Sequence, residues 1–239
     1  MRRPPSIRWV VNTGTLAEIN VIQKREVIFV AYTHEEWNKR VTSRSDLSGY
    51  LYHLTKAKVD KDGKITLNAI DRLMKIINER KLIGSSTESG FITGDRKAVC
   101  FQDTPISSLM ENIVHEKDYR DKLGGKIRYV SVGLAFPKPY IFQKGGRPVF
   151  YESKEVAKQI LPKTEWWRIV DYNLMNKNHL IDWTHEREWR LPLDEFIFEL
   201  SKVTIILPNQ QMFLAFMDKI SQEDLKQIQG IVQTSVVIF

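Results

Sequence analysis

Apolar positions recur with two different periods along this 239-residue chain, and the period decides the element. Leu67, Ile70, Leu73, Met74 and Ile77 lie at helical spacing and predict an amphipathic helix over residues 66–80. Ile106, Leu109, Met110, Ile113 and Val114 form a second such stripe, opened by Pro105. Runs rich in β-branched and aromatic residues predict strands at 26–32, 49–57, 98–102, 127–136, 149–151, 166–172, 203–207 and 235–239. Residues 1–20 read as an irregular arm or as carrying a first short strand at 7–11. Thr33-His34-Glu35-Glu36 reads as a helix cap with an acidic first turn, and Ser221-Gln222-Glu223-Asp224 as a near capping box. Further helices are expected at 154–160, 210–219 and 221–229. Residues 42–48 and the Gly-, Ser- and Thr-rich 81–95 read as loops, the second long and flexible. Asp60-Lys61-Asp62-Gly63 and Gly145-Gly146 read as turns.

Strands and helices intermix without a regular βα alternation, so the pattern predicts an α+β fold rather than a doubly wound sheet. We divide the chain into an N-terminal extension at 1–48, made of an arm, a strand and a short helix, and an α+β domain at 49–239. Hydrophobic residues at 42% and charged residues at 27% suit a globular protein with a sizeable core. No apolar run approaches the roughly 20 residues of a membrane span, and the Met1-Arg2-Arg3-Pro4-Pro5 start lacks an apolar secretion signal. The single cysteine, Cys100, rules out an internal disulfide and a cysteine-cluster zinc site. These features together point to the cytoplasm. A net charge of +7 favours acidic partners, nucleic acid first and anionic cofactors second.

The densest chemistry lies in Asp182-Trp183-Thr184-His185-Glu186-Arg187-Glu188-Trp189-Arg190, read as a strand that Leu191-Pro192 stops. On a strand Glu186, Glu188 and Arg190 share one face, about 6.5–7 Å apart in succession. His185 then points to the other face, which argues against a metal site built from it and the two glutamates. Cys100 sits within Val99-Cys100-Phe101 and reads as a structural thiol. No Gly-x-Gly-x-x-Gly follows a strand, and neither a Walker-type loop nor a Gly-x-Ser-x-Gly elbow occurs. Asp103, Asp182, Glu186 and Glu188 are the acids a metal-dependent nuclease would use.

Three stretches taken together carry a resemblance. They are Tyr50-Leu51-Tyr52-His53-Leu54-Thr55, Gly146-Arg147-Pro148-Val149-Phe150-Tyr151, and Glu186-Arg187-Glu188-Trp189-Arg190. Their order resembles the His–Tyr–Glu set of the ADP-ribosyltransferase superfamily, nearest its DarT-type DNA-modifying members. Val99-Cys100-Phe101-Gln102-Asp103-Thr104-Pro105-Ile106, with Pro148-Val149-Phe150-Tyr151 and Glu188-Trp189-Arg190, also resembles the AbiGi-type abortive phage-infection proteins. The resemblance covers about residues 50–207 and implies a split mixed or antiparallel sheet with flanking helices. It implies NAD as a substrate and an ADP-ribose acceptor that is a macromolecule, with nucleic acid favoured by the charge, in a phage-defence or toxin–antitoxin setting with a cognate antitoxin or defence-system partner. By the same resemblance Glu188 stabilises the ribosyl cation and Glu186 orients or deprotonates the acceptor. His53 and Thr55 would bind the dinucleotide, Tyr151 would stack on nicotinamide, and Arg96, Arg147 and Arg190 would meet the diphosphate. Two other functions compete: a non-catalytic nucleic-acid-binding or toxin-neutralising module, and the metal-dependent nuclease.

Overall fold

The computed structural model describes residues 31–60, 64–89, 92–122 and 128–237. In chain order these form α1 (His34–Thr42), β1 (Tyr50–Leu54), β2 (Lys58–Val59), β3 (Ile65–Leu67), α2 (Ala69–Glu79), β4 (Lys81–Ile83) and β5 (Val99–Gln102). Next come α3 (Ile106–Asp118), β6 (Gly133–Pro137), α4 (Lys138–Gln143), β7 (Arg147–Pro148), β8 (Phe150–Tyr151), α5 (Lys154–Ile160) and β9 (Ile169–Val170). The rest are β10 (Glu188–Leu191), β11 (Glu195–Ile197), β12 (Thr204–Leu207), α6 (Gln210–Met217), α7 (Gln222–Gln227) and β13 (Gly230–Gln233). The fold is α+β. Among the described residues no helix is long and apolar enough to cross a membrane.

The central sheet has seven strands among the described residues, ordered β13-β12-β6-β1-β5-β10-β7. All neighbours are antiparallel except β12 and β13. A Cβ at Gly133 would lie 2.3 Å from the His53 carbonyl oxygen, so the approach of β6 to β1 requires glycine. Register sorts the side chains into two faces, because directly paired residues point the same way. Tyr52 pairs with Gln102 and Gln102 with Glu188, while His53 pairs with Leu134 and Trp189 with Phe101.

The first face carries Leu51, Val99, Phe101, Leu134, Phe136, Leu191 and Ile205, nearly all fully buried. Ile70, Leu73, Met74 and Ile77 of α2 cover it, as the helical stripe predicted, together with Phe196 of β11 and Phe216 of α6. Among the described residues the second face is covered only in part. Leu109 and Met110 of α3 pack on Tyr52, Ala135 and Ile206, and a smaller cluster of Ile92, Ala98 and Trp167 packs against Cys100. Between these two coverings the sheet presents Cys100, Glu188 and Arg190 to a cleft.

Several elements differ from their sequence-based expectations. Residues 81–95 open not as a loop but with β4, whose Leu82 is buried and paired with Phe196 of β11. Residues 166–172 begin as a 3-10 turn, Lys163–Arg168, launched by Pro162, and only Ile169–Val170 is extended. The last strand forms at Gly230–Gln233, where Ile231 and Val232 pair in parallel with β12. Residues 234–236 then curl into a 3-10 turn whose Thr234 hydroxyl donates to the Leu207 carbonyl. The helix expected from 66 starts at Ala69, because Asn68 caps it and Ile65–Leu67 is a strand. Thr33 and Glu36 do form the reciprocal capping box of α1. The expected strand at 7–11, most of that at 26–32, residues 61–63 of the turn, residue 127, and residues 238–239 lie outside the described residues.

Candidate active site

Residues 182–190 are not one strand. Thr184–Glu186 is a 3-10 turn, Arg187 adopts the left-handed conformation at φ 45°, and the strand begins at Glu188. A left-handed arginine between two glutamates is strained backbone, and it persists because its surroundings fix it. The Asp103 N–H donates to both the Glu186 and Arg187 carbonyls at 3.2 Å, and the Arg187 guanidinium donates to the Asp46 carbonyl at 2.7 Å. The Asp103 carboxylate meets Lys138 Nζ at 2.6 Å and accepts from Trp189 Nε1 at 3.1 Å. Asp103 therefore holds the chain on both sides of Glu188. Burial pushes its carboxyl up, and Lys138 opposes that shift.

Glu188 is buried and takes a bidentate grip from Arg190, with Nε–Oε1 at 2.8 Å and Nη2–Oε2 at 3.1 Å. Arg190 Nη1 donates to the carbonyls of Trp167 and Ile169 at 2.8 and 3.0 Å. Such a pair tolerates burial only because its remaining donors find partners. Pro148, which has no N–H, lies opposite Trp189, and the next residue, Val149, donates to the Glu188 carbonyl at 3.0 Å. The Glu188 N–H in turn donates to the Tyr151 hydroxyl at 2.7 Å.

Glu186 lies beside this pair and accepts a hydrogen bond from the Tyr129 hydroxyl. Burial, reinforced by the charge of Glu188, pushes its carboxyl up to about 7 against the opposing Tyr129 bond. Two carboxyls of one cleft thus live in unlike surroundings, one gripped by a guanidinium and the other half protonated near neutrality. The cleft has a volume of about 480 Å³. Lys56, Arg128 and Lys154 add cationic groups to its lining, and Trp183 and Ile169 add apolar wall. Cys100 also lines it, its thiol pushed well up by burial and then by Glu188. β5 turns Cys100 toward Arg190 while Val99 and Phe101 enter the core, so the thiol expected to be structural lies largely buried at the wall of the cleft.

The cleft gathers Glu186, Glu188 and Arg190, and Arg190 is already bound to Glu188 and two carbonyls. Tyr151 touches Glu188 through its backbone N–H and is not a lining residue. His53 sits on the opposite sheet face, edge-on to Phe101 at 5.9 Å, with Nδ1 2.9 Å from the Cys100 carbonyl. A carbonyl only accepts, so that nitrogen carries the proton, and burial lowers the imidazole's affinity for a second one. Thr55 is buried just beyond β1, its N–H bonded to the Val132 carbonyl. Arg96 is exposed and donates to the Pro192 carbonyl at 3.1 Å. Arg147 donates to the carbonyls of Phe142 and Gly146 and lies 3.9 Å over the Phe142 ring. Of His53, Tyr151 and Glu188, expected to meet one dinucleotide, Glu188 alone lines the cleft: the register through Gln102 puts His53 on the opposite face, and Tyr151, on β8, meets only the Glu188 backbone N–H.

Tyr129, Arg128 and Lys154 had no signal in the sequence, because irregular segments and a helix start bring them in. Asp103 and Asp182, the other acids considered for metal, serve Lys138 and Trp189, and Thr184, respectively. Among the described residues no group of three or more His, Cys, Asp or Glu is placed to hold a metal ion. His185 points away from the glutamates into a neighbouring cleft. Compared with models of protein families, with curated proteins and with solved structures, the chain matches none.

Proposed function

We propose that the Glu186–Glu188 cleft cleaves an N-glycosidic bond of an anionic nucleotide, with NAD as the donor and ADP-ribose passed to a macromolecule. The observation that carries the reading is the pair itself: one carboxylate fixed by Arg190 beside one carboxyl whose pKa lies near 7. Breaking the bond between ribose C1′ and nicotinamide builds positive charge on the sugar. Glu188 meets that charge. Nicotinamide departs with the bonding electron pair as a neutral molecule. The acceptor heteroatom then bonds to C1′, and its proton passes to ionised Glu186. Lys56, Arg128 and Lys154 supply positive charge for a diphosphate, the task the sequence had given to Arg96, Arg147 and Arg190.

The α+β architecture agrees with the coarse fold that the ADP-ribosyltransferase resemblance implies. Support comes from the acid pair and not from the His–Tyr–Glu set, of which Glu188 alone lines the cleft. The same site with water as acceptor would be an NAD hydrolase. The test is nicotinamide release from NAD by wild type, Glu188→Gln and Glu186→Gln. Wild type releases nicotinamide, and Glu188→Gln slows release by at least about a hundredfold. A wild-type protein that leaves NAD intact, while still retaining nucleic acid in a salt-sensitive manner, sinks the reading in favour of a binding module.

A further inference from the structure

Residues 128–132, between α3 and β6, are in neither helix nor strand, and Arg128 and Tyr129 line the Glu186–Glu188 cleft. Two ties hold this segment. Arg128 pairs with Glu116 of α3 at 2.9 Å and lies 5.5 Å over the Trp183 ring, while the Val132 carbonyl accepts from the Thr55 N–H at 2.8 Å. Tyr129 is therefore fixed from both sides. The Glu186 backbone is fixed as well: its N–H donates to the Trp183 carbonyl at 3.1 Å, and its carbonyl accepts from the Asp103 N–H. The carboxyl is what remains to be set, and the Tyr129 hydroxyl donates to its Oε1.

A phenol that donates to a carboxyl group favours its ionised form, because the charged oxygen is the better acceptor. Tyr129 does so throughout the range in which Glu186 titrates, since burial, and then the charge of Glu186, push the phenol up and keep it protonated. The surrounding charges divide. Glu188 on β10 and Glu116 on α3 oppose a further negative charge, and Arg190 favours it. Both acids are already paired, Glu188 with Arg190 and Glu116 with Arg128. Cys100 of β5 and Tyr151 of β8 stay neutral, each pushed up by burial. Lys56, Lys154 and Asp171 line the same cleft. Of the chain neighbours, Arg187 turns to the Asp46 carbonyl and His185 into the adjoining cleft. Against burial and two acids, Tyr129 is the uncharged group that tips Glu186 towards a base.

We propose that Tyr129 is the positioning residue of Glu186: its phenol occupies Oε1, leaves Oε2 to the cleft, and holds the carboxylate in the form that takes a proton from the acceptor. That proton settles on Oε2, and the phenol keeps its own. The part of Glu186 as base rests on the proposed function; its coupling to Tyr129 does not. Infrared difference spectra of the full chain, taken without substrate from about pH 5 to 10, follow the carboxylic acid C=O band that Glu186→Gln removes. In wild type that band vanishes through about pH 7. Tyr129→Phe moves its loss to about pH 8–9, because a hydrogen bond to an ionised group is worth about ten- to a hundredfold in the equilibrium. Tyr129→3-fluorotyrosine, a stronger donor of nearly the same shape, moves the loss below the wild-type value and serves where the phenylalanine variant does not fold. Nicotinamide release from NAD, with water as the acceptor, falls about five- to fiftyfold in Tyr129→Phe at about pH 7 and recovers by about pH 10, with KM for NAD unchanged. A loss of rate equal at every pH, or one band midpoint shared by wild type and both variants, overturns the proposal. A shifted midpoint in a chain that releases no nicotinamide keeps the coupling and overturns the proposed reaction alone.

Discussion

The two faces of the central sheet are made by the same strands and do opposite work. On one, Leu51, Val99, Phe101, Leu191 and Ile205 meet α2, β11 and α6, and the layer closes. On the other, alternate residues of the same strands put Cys100, Glu188 and Arg190 where α3 does not reach. His53 and Glu188 show the consequence. They belong to strands that flank β5 and face opposite ways, one toward Phe101 and the other toward a cleft. A one-residue difference in parity decides whether a polar side chain is packed or available.

The comparison breaks most sharply at its two buried anchors. Phe101→Ala removes a fully buried ring from the packed face and costs about 3–5 kcal/mol in denaturant unfolding. Arg190→Ala on the open face costs a similar amount, about 3–5 kcal/mol, because the Glu188 carboxylate stays buried without its partner. Their rescues differ. Adding Glu188→Leu to an Arg190→Met variant recovers most of the loss, whereas no second substitution of a polar group repairs Phe101→Ala. Failure of that rescue would show that the pair is not stabilised in the way its geometry indicates.

Glu186 gives the next effect, in pH. Its carboxyl is raised in the folded protein to about 7 from an ordinary 4.5, so the fold holds a proton that the unfolded chain releases. Its contribution to stability is complete below about 4.5 and is lost as pH rises to about 7. Glu186→Gln removes this fall, so variant and wild-type melting temperatures diverge with rising pH. For the proposed transfer, with Glu186 as the base, the expected rate rises through about pH 7 in wild type, and Glu186→Gln flattens that rise. A wild-type profile that is level from pH 5 to 9 contradicts the assignment.

His53→Gln has the smallest effect and sharpens the contrast. Loss of the bond to the Cys100 carbonyl costs about 1–2 kcal/mol of stability. In the proposed reaction, nicotinamide release by the folded variant is expected to stay within about twofold of wild type, because His53 lies on the packed face, away from the cleft. A large loss of rate with an unchanged melt would place His53 in the site after all.

Elements made by local pattern were legible in the sequence. The stripe of α2, the cap at Thr33, and the turn at Gly145, with φ 103°, all follow from near neighbours. Elements made by distant pairing were not. Nothing near Lys81–Ile83 announces that Glu195–Ile197 will lie beside it. The acid pair was visible because two glutamates between tryptophans need a partner or a purpose. Its handling was not, since Tyr129, Asp103 and the left-handed Arg187 act through contacts that no spacing encodes. His53 was misplaced for a related reason. Alternation separates faces within one strand, but only the register through Gln102 says which of them meets Glu188.

A crystal structure of the Glu188→Gln variant soaked with NAD tests the central claim most directly, since the bond should survive long enough to be seen. We predict the nicotinamide ribose against residues 186 and 188, with the diphosphate near Lys56, Arg128 or Lys154. NAD bound on the His53 side of the sheet, or an empty cleft at saturating NAD, would contradict it.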